Sequence, residues 1–315
     1  MSTASFLSRY YTSPDGLKLH YREYAGPPDP KLTIICIPGL TRNARDFEEL
    51  APYLARRYRV LCVELRGRGL SQYAPDPMTY VPATYAQDIA ALFEAENLQH
   101  AALIGTSLGG IISMILGAIM PAKILGIVLN DIGPELNPEG LARIGSYVGK
   151  TRSINTWEEA AAAIREIDGQ IFPDYVTDDV WMRMARRRFV KAMDGGLRPD
   201  YDLNISKPFA ASSEPVNLWP FFSTLKDIPA LAIRGANSDL LSPAVFTRMK
   251  EELPHLLQVE VPDRGHAPQL DEPQALSAIE DFLQKLPATL PLTIRLRRQI
   301  AGAVFMAKLK AKGLA

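Results

Sequence analysis

Short apolar runs that alternate with helical patterns constrain the fold of this chain more than any other feature of its sequence. Most of these runs are apolar on consecutive residues, which is typical of strands buried on both faces of a parallel sheet. The predicted strands are residues 32–37, 59–63, 101–104, 124–129, 230–233 and 257–261. The predicted helices are residues 46–57, 85–96, 108–120, 243–253 and 273–286. The alternation predicts an α/β fold, with a mostly parallel central sheet flanked by helices on both faces.

Two parts of the chain depart from this alternation. Residues 6–13 and 17–24 read as an antiparallel hairpin around a Pro-Asp-Gly turn. About a hundred residues after Asn130 contain no convincing strand, and only residues 157–167 and 179–193 have a helical pattern there. We therefore expect a helical insertion that leaves the sheet at the carboxyl end of a strand, where ligands of open α/β sheets bind.

The insertion divides the chain into three predicted parts. These are an α/β core of residues 1–132 and 226–286, a helical cap of residues 133–225 and a basic C-terminal extension of residues 287–315. The aromatic candidates to line the underside of the cap are Tyr147, Trp157, Phe172, Trp181 and Trp219. Aromatic residues at helical spacing are more often ordinary core residues, so the sequence assigns none of them a role.

Composition excludes several classes of protein. The 315 residues carry 35 Lys and Arg against 35 Asp and Glu, so nothing suggests a nucleic-acid partner. Only Cys36 and Cys62 are present, both in apolar runs, and the N-terminus lacks the apolar core of a signal peptide. These features predict a cytoplasmic protein. Residues 108–129 are almost wholly apolar, but Pro121 and Lys123 split them into a helix and a strand.

The even charge balance conceals an uneven distribution. Residues 286–315 contain six bases and no acids, so residues 1–285 carry a net charge of about −6. The two basic groups of this C-terminal segment flank an apolar stretch that is too short to cross a bilayer. Three placements stay open for the extension: on an anionic membrane surface, against a partner subunit, or in solvent.

The strongest chemical motif lies at residues 105–110, Gly-Thr-Ser-Leu-Gly-Gly, between a predicted strand and a predicted helix. Gly-x-Ser-x-Gly in this context is typical of a nucleophile elbow, a tight strained turn that exposes the serine hydroxyl. The small flanking residues let neighbouring backbone pass without a clash. We therefore predict that Ser107 is a catalytic nucleophile.

A serine nucleophile needs a base to accept its proton, and the chain has only four histidines. His20 lies in the N-terminal hairpin, His100 precedes the elbow strand, and His255 follows a helix. All three are expected to be structural or solvated. His266 lies in the loop after the last strand, at the same edge of the sheet as Ser107, and is the predicted base.

The acid that orients the histidine should also follow a strand. Asp239 follows the strand at residues 230–233, which gives the chain order Ser107, Asp239, His266. Asp131 competes for the role because it closes the strand before the insertion. We expect Asp239 to be the acid and Asp131 to belong to a hinge into the cap.

With these motifs the chain resembles a capped α/β-hydrolase of the esterase, lactonase and C–C hydrolase group. The resemblance covers residues of about 15–135 and 225–286, including Ile-Pro-Gly-Leu-Thr at 37–41 and Glu-Leu-Arg-Gly-Arg-Gly-Leu-Ser at 64–71. Pro38-Gly39 stands where His-Gly is usual, and Thr106 stands where His often precedes the serine. The resemblance implies that the backbone amides of Leu40 and Leu108 form the oxyanion hole.

The expected reaction is hydrolysis of a small-molecule carboxylic ester or lactone through an acyl-enzyme on Ser107. Two alternatives stay open: hydrolysis of a C–C bond in ring-cleavage diketones, and a non-catalytic receptor for a small ligand. No cofactor or metal is expected, because the spacing of His and Cys does not suit zinc.

A group of four arginines invites a further hypothesis about the substrate. Arg183, Arg186, Arg187 and Arg188 spread over several faces of a predicted helix, so most should be solvated and not bind a substrate carboxylate. Arg42, beside the predicted oxyanion loop, is a second candidate for a polar contact.

Overall fold

The apolar runs form one eight-stranded sheet in the computed structural model, which describes residues 5–150, 152–174, 177–193, 195–211 and 217–311. The strands are β1 (Leu7–Thr12), β2 (Lys18–Tyr24), β3 (Thr33–Ile37), β4 (Arg59–Val63), β5 (Ala101–Thr106), β6 (Ile124–Asn130), β7 (Phe189–Lys191), β8 (Leu197–Pro199), β9 (Ala230–Gly235) and β10 (Leu257–Val261). The sheet order is β1-β2-β4-β3-β5-β6-β9-β10. Strand β2 pairs antiparallel with β1 and β4, and the pairs from β4 to β10 are parallel. The predicted fold class, hairpin and six strands are confirmed.

Helices connect most of the parallel strands. They are α1 (Leu50–Leu54), α2 (Pro82–Ala95), α3 (Leu108–Ile119), α4 (Pro138–Tyr147), α5 (Trp157–Asp168), α6 (Asp178–Arg188), α7 (Ser206–Ala211), α8 (Trp219–Phe222), α9 (Pro243–Glu252), α10 (Pro273–Lys285) and α11 (Leu292–Ala311). Five short 3-10 turns accompany them: Ala44–Phe47, Pro77–Thr79, Pro121–Lys123, Leu203–Ile205 and Ser223–Asp227. Within the described part of the chain, no helix combines the length and apolar character needed to cross a membrane.

The first predicted helix is shorter than expected. Residues 46–57 were expected to form one helix, but the structure has the 3-10 turn Ala44–Phe47 followed by the five-residue α1. Pro52 has no N–H to bond the carbonyl of Glu48, so a regular helix cannot extend through this segment. The side chain of Asn43 accepts the amide of Arg45 at 2.9 Å, which starts the 3-10 turn instead.

Alternate residues of the central strands enter two separate cores. Ile35 and Ile37 of β3 pack on the face covered by α2 and α3. Ile34 and Cys36 pack on the opposite face, under α1 and α10. All four side chains are fully buried, and each fully buried isoleucine stabilises the fold by about 1.5–3 kcal/mol. The consecutive apolar pattern therefore reflects burial on both faces of the sheet.

The segment between β6 and β9 contains α4 to α8 and one small hairpin. Strands β7 and β8 pair antiparallel from Phe189 to Pro199, which corrects the expectation that this segment contains no strand. Three-residue strands are too short to show an alternating pattern in the sequence. The same hairpin ends α6 at Arg188, five residues before the predicted end. Trp181 and Met184 lie in an apolar cluster of this insertion, separate from the two sheet cores.

Helix α11 packs against the core near the start of β6. Arg298 is buried there and donates to the carbonyl oxygens of Pro121, Ile124 and Asp227. The Phe305 ring contacts that of Phe221, with the centroids 5.2 Å apart. The part of the C-terminal extension that the structure describes is therefore a helix docked on the core.

A buried ion pair ties the turn after β4 to α2. Arg66 donates through Nε and Nη2 to the two oxygens of Asp88, at 2.7 Å each, and through both Nη groups to Asp15. The side chains of Arg66 and Asp88 are 1% and 0% exposed. Because both side chains are buried, hydrogen bonds within the protein and not water stabilise their charges.

Replacing Asp88 should destabilise the fold strongly. Asp88→Ala leaves the Arg66 guanidinium buried with only one carboxylate, which should lower the free energy of unfolding by about 3 kcal/mol. On the same helix, Glu94→Ala removes an exposed pair with Lys123 and should cost less than about 1 kcal/mol. Urea unfolding of the two variants measures the difference, and equal losses would contradict the assigned role of the buried pair.

Candidate active site

Ser107 occupies the strained turn between β5 and α3. Its φ is +53° and its ψ is −116°, a conformation that a non-glycine residue rarely adopts. A Cβ atom on Gly109 would lie 2.0 Å from the carbonyl oxygen of Ile37, and one on Gly105 would lie 2.3 Å from that of Gly109. The two glycines therefore permit the close approach of β3, β5 and α3 that holds the serine at the edge of the sheet.

His266 lies within hydrogen-bond distance of Ser107. The His266 Nε2 atom is 2.8 Å from the Ser107 Oγ atom, and its Nδ1 atom is 2.8 Å from an oxygen of Asp131. The histidine follows β10 and the aspartate follows β6, so both residues leave the carboxyl edge of the sheet. The three side chains form a continuous hydrogen-bonded chain.

The other three histidines form hydrogen bonds elsewhere, outside the series from Ser107 through His266 to Asp131. A ring nitrogen of His20 is 2.9 Å from a carboxylate oxygen of Glu64. His100 and His255 each contact a backbone carbonyl oxygen, of Ala122 at 3.2 Å and of Ile228 at 3.0 Å.

The structure corrects the expected partner of His266, which is Asp131 and not Asp239. Asp131 is fully buried and also accepts the Gly235 amide at 2.7 Å and the Ser238 hydroxyl at 2.6 Å. Strand β6 is the direct neighbour of β5, whereas β9, which leads to Asp239, lies one strand farther from the nucleophile. The strand order therefore brings Asp131 to the histidine, and that order was not visible in the sequence.

Asp239 has a different partner. Both of its oxygens accept from Arg143 of the insertion, from Nε at 2.5 Å and from Nη2 at 3.1 Å. Burial raises the pKa of Asp239, but the hydrogen bonds and charge of Arg143 outweigh burial and hold the pKa below its ordinary value. Asp239 thus joins the insertion to the core.

Two backbone amides lie beside Ser107 without a hydrogen-bond partner in the described part of the chain. The Leu108 amide is the first of α3, where helical N–H groups have no intrahelical acceptor. The Leu40 amide belongs to the loop after β3, and a Cβ atom on neighbouring Gly39 would lie 3.7 Å from that of Ser107. Arg68 braces this loop by donating to the Leu40 carbonyl oxygen at 3.0 Å. Leu40 and Ser107 line the same cavity, and an oxyanion hole formed by these two amides stays a prediction.

A cavity of about 70 Å³ opens at Ser107 and His266. The core contributes its floor and the insertion contributes Ile144, Tyr147, Asp168, Phe172 and Arg188. A second, largely apolar chamber of about 370 Å³ shares Thr41, Tyr147 and Arg188 with the first. Of the five aromatic candidates, Tyr147 and Phe172 line the cavity, while Trp181 is part of the apolar cluster of the insertion.

Charged side chains form part of the cavity wall. Arg42 donates through Nε to both oxygens of Asp46, at 2.9 and 2.7 Å, and Arg188 donates through Nη1 to Asp168 at 2.6 Å. Burial lowers the pKa of Arg188, the charge of Arg42 acts in the same direction, and Asp168 offsets them only in part. Arg42 and Arg188 thus place two positive charges in the wall of one cavity.

The arginine group of α6 is only partly solvated. Arg183 and Arg186 are exposed as expected, but Arg187 is buried and pairs with Glu49 at 3.1 Å, and Arg188 reaches the cavity. The expectation that most of the group points to water is wrong for these last two residues. Both lie in the final turn of α6, where Asn43 of the core donates to the Arg187 carbonyl oxygen at 3.2 Å.

A serine in the turn after a central strand, with a histidine and an aspartate at the same edge of a sheet of this topology, is the arrangement typical of a hydrolase of the α/β type. A sequence model described as the alpha/beta hydrolase family matches residues 34–279, which is more than half of the chain. The chain therefore belongs to the α/β hydrolase family, as its resemblance implied, and its matched relatives are hydrolases.

Three relatives illustrate the similarity. The 3-hydroxybutyrate-oligomer hydrolase of Cupriavidus necator is 34% identical over 280 residues, which cover 86% of this chain and 94% of that protein. The 2-(acetamidomethylene)succinate hydrolase of Mesorhizobium japonicum is 30% identical over 249 residues, covering 78% and 85% of the two chains. A solved α/β hydrolase from Novosphingobium aromaticivorans superposes with a TM-score of 0.85 at 46% identity, covering 90% of this chain and 99% of that one.

Proposed function

We propose that this protein is a serine hydrolase that cleaves a carboxylic ester or lactone through an acyl-enzyme on Ser107. The observation that carries the proposal is the hydrogen-bonded chain from Ser107 through His266 to Asp131. In this mechanism Ser107 Oγ attacks the ester carbonyl carbon while His266 Nε2 accepts the hydroxyl proton. Asp131 orients the imidazole and stabilises its charged form. His266 then donates the proton to the leaving alcohol.

The second half of the reaction uses the same groups. A water molecule enters after the alcohol leaves, and His266 removes its proton as the water attacks the acyl carbon. The amides of Leu40 and Leu108 stabilise the oxyanion in both steps, an interaction whose loss typically costs about 10²–10³ in rate. Release of the acid restores the Ser107 hydroxyl.

The cavities favour a short substrate. The reacting groups share about 70 Å³, and the adjoining chamber of about 370 Å³ has room for a small organic group. The relative from Cupriavidus necator, whose name assigns it oligomers of 3-hydroxybutyrate, directs the proposal toward short esters of hydroxy acids. Because the matched relatives are hydrolases, we favour turnover over the receptor alternative, and no contact in the cavity favours a diketone.

The proposal gives the insertion the role of a cap. Tyr147 and Phe172 of the insertion line the same cavity as Ser107 of the core, which supports a cap of residues 133–225 over a core of residues 1–132 and 226–286. We also infer a cytoplasmic location, because the buried side chains of Cys36 and Cys62 are free thiols.

Removing the nucleophile tests the reaction. Ser107→Ala should lower hydrolysis of p-nitrophenyl butyrate by at least about 10⁴-fold and abolish labelling by a fluorophosphonate probe, because no acyl-enzyme can form. Ser113→Ala is the matched control, since this buried serine lies on α3, the helix that follows Ser107, and its hydroxyl donates to the Gly109 carbonyl oxygen. A wild-type protein inert to both reagents would overturn the proposed function.

Replacing each of the two aspartates in turn tests which of them is the acid. Asp131→Asn presents an amide to His266 Nδ1 and should lower kcat by about 10⁴-fold, because the imidazole then adopts the wrong tautomer. Asp239→Asn should lower kcat less than about tenfold, since Asp239 bonds Arg143. Steady-state kinetics on folded variants, checked by circular dichroism, decide between them. The reverse order of effects would identify Asp239 as the acid.

A further inference from the structure

The guanidinium group of Arg188 lies in the wall shared by the two cavities. Its Nη1 atom donates to Asp168, but its Nε atom is buried and has no hydrogen-bond partner among the residues that the structure describes. A buried charged donor without an acceptor is costly, because the protein does not replace the water it has lost. The protein therefore leaves part of the Arg188 guanidinium group unsatisfied, at a residue that lines both cavities.

Arg42 supplies further donors to the same cavity. Its Nε atom donates to both oxygens of Asp46. Its two Nη groups have no acceptor in the described part of the chain. Its side chain is 17% exposed and that of Arg188 is 16% exposed. Two mostly buried guanidinium groups therefore border one cavity, each with donors that its own aspartate does not use.

The ligand that suits these donors is an anion. A carboxylate has two oxygens that accept several hydrogen bonds at once, and its charge offsets the repulsion between Arg42 and Arg188. A neutral carbonyl group accepts fewer hydrogen bonds and leaves that repulsion in place. Asp46 accepts only from the Nε atom of Arg42, and Asp168 accepts from the Nη1 atom of Arg188. The other guanidinium nitrogens of both arginines are not used by these two aspartates.

We propose that Arg42 and Arg188 form a carboxylate-binding subsite, so that the preferred substrate is a short ester with a free carboxylate. The inference rests on the proposed ester hydrolysis and names its substrate class. Because Ser107 and both arginines line the same cavity of about 70 Å³, the carboxylate is only a few bonds from the scissile ester. The remainder of the substrate occupies the apolar chamber beyond Arg188.

A pair of substrates that differ only in charge tests the subsite. The linear dimer of 3-hydroxybutyrate and the methyl ester of that dimer contain the same internal ester bond. Wild-type kcat/KM for this bond should be at least about tenfold higher for the free acid. Arg188→Gln should lower the acid-to-ester ratio about tenfold or more, mainly through KM, and Arg188→Lys should restore part of it.

Controls separate the subsite from the reaction. Arg183→Gln removes an exposed charge from the same helix and should leave the ratio unchanged. An unchanged ratio in Arg188→Gln, while the internal ester is still cleaved, would overturn the subsite and leave the proposed function intact.

Binding provides a readout that does not depend on turnover. Calorimetry should show that Ser107→Ala, which cannot form an acyl-enzyme, binds 3-hydroxybutyrate at least about tenfold more tightly than its methyl ester. Adding Arg188→Gln to this variant should remove the difference. If the wild-type protein hydrolyses no ester but Ser107→Ala shows this preference, the proposed function fails and the subsite stands. Equal binding of the acid and its methyl ester would overturn the subsite.

A second inference follows independently from the outer face of α11. The face of this helix that contacts the core includes Arg298 and Gly302. The opposite face exposes four large apolar side chains at four-residue spacing: Leu292, Leu296, Ile300 and Val304, which are 58%, 49%, 65% and 49% exposed. Residues four apart lie on one face of a helix, so these side chains form an apolar stripe on the surface.

Basic residues border the stripe on both sides. At 100° per residue, Arg297 and Lys308 lie along one edge, where Arg297 also pairs with Asp227 at 3.0 Å, and Arg295 and Lys310 lie along the other. Residues 286–315 contain no acid, so a second copy of this face would oppose like charges across a dimer. A bilayer with anionic lipids complements this face, because its headgroups attract the basic edges and its hydrocarbon interior accepts the apolar stripe. We infer that α11 docks the protein on an anionic membrane surface.

Vesicle binding tests the docking of α11. The full-length protein should co-sediment with vesicles of 70% phosphatidylcholine and 30% phosphatidylglycerol, but not with pure phosphatidylcholine vesicles, and added salt should weaken the binding. Ile300→Glu should lower the bound fraction at least about tenfold. Gln299→Glu makes the same charge change beside the stripe and should have a much smaller effect.

Three results would overturn the membrane inference. They are equal binding to the two kinds of vesicle, binding to neither, and equal effects of the two variants. Size-exclusion chromatography identifies the competing occupant, because a dimer that Ile300→Glu dissociates would assign the stripe to a second copy of the chain.

Discussion

The Asp131 carboxylate holds together the carboxyl ends of neighbouring strands, and the candidate active site depends on it. It accepts hydrogen bonds from the backbone at the end of β9, from Ser238 in the loop beyond, and from His266 in the loop after β10. A fully buried carboxylate is stable only when its oxygens are bonded in this way. The same hydrogen bonds that satisfy the buried Asp131 charge also orient His266 toward Ser107. The stability of the buried carboxylate and the geometry of the candidate site therefore depend on the same contacts.

The insertion forms part of the wall of this centre. It supplies Tyr147, Phe172 and Arg188 to the cavity, whereas the core supplies Ser107, His266 and Leu40. Arg143 of the insertion pairs with Asp239 of the core and fixes how the two parts meet. The proposed mechanism thus assigns bond cleavage to the core and substrate choice to the insertion.

Local patterns in the sequence predicted the sheet, most of its helices, and the positions of Ser107 and His266. Strands buried on both faces have a consecutive apolar pattern, and the Gly-x-Ser-x-Gly turn is required by contacts between adjacent segments. The helix at residues 46–57 was overestimated because Pro52 interrupts the hydrogen-bond ladder. The hairpin of β7 and β8 escaped notice because three residues are too few for a periodic signal.

The sequence by itself determined the fold class and the positions of Ser107 and His266 after two strands of the sheet, because each depends on residues that are close together in the chain. Only the tertiary structure decided that Asp131 and not Asp239 contacts His266, since that choice follows from the order of strands in the sheet. It also decided that Arg42 and Arg188 meet at one cavity although 146 positions separate them in the chain. Charge, burial and hydrogen bonding between distant residues are properties of the folded chain, and no local pattern records them.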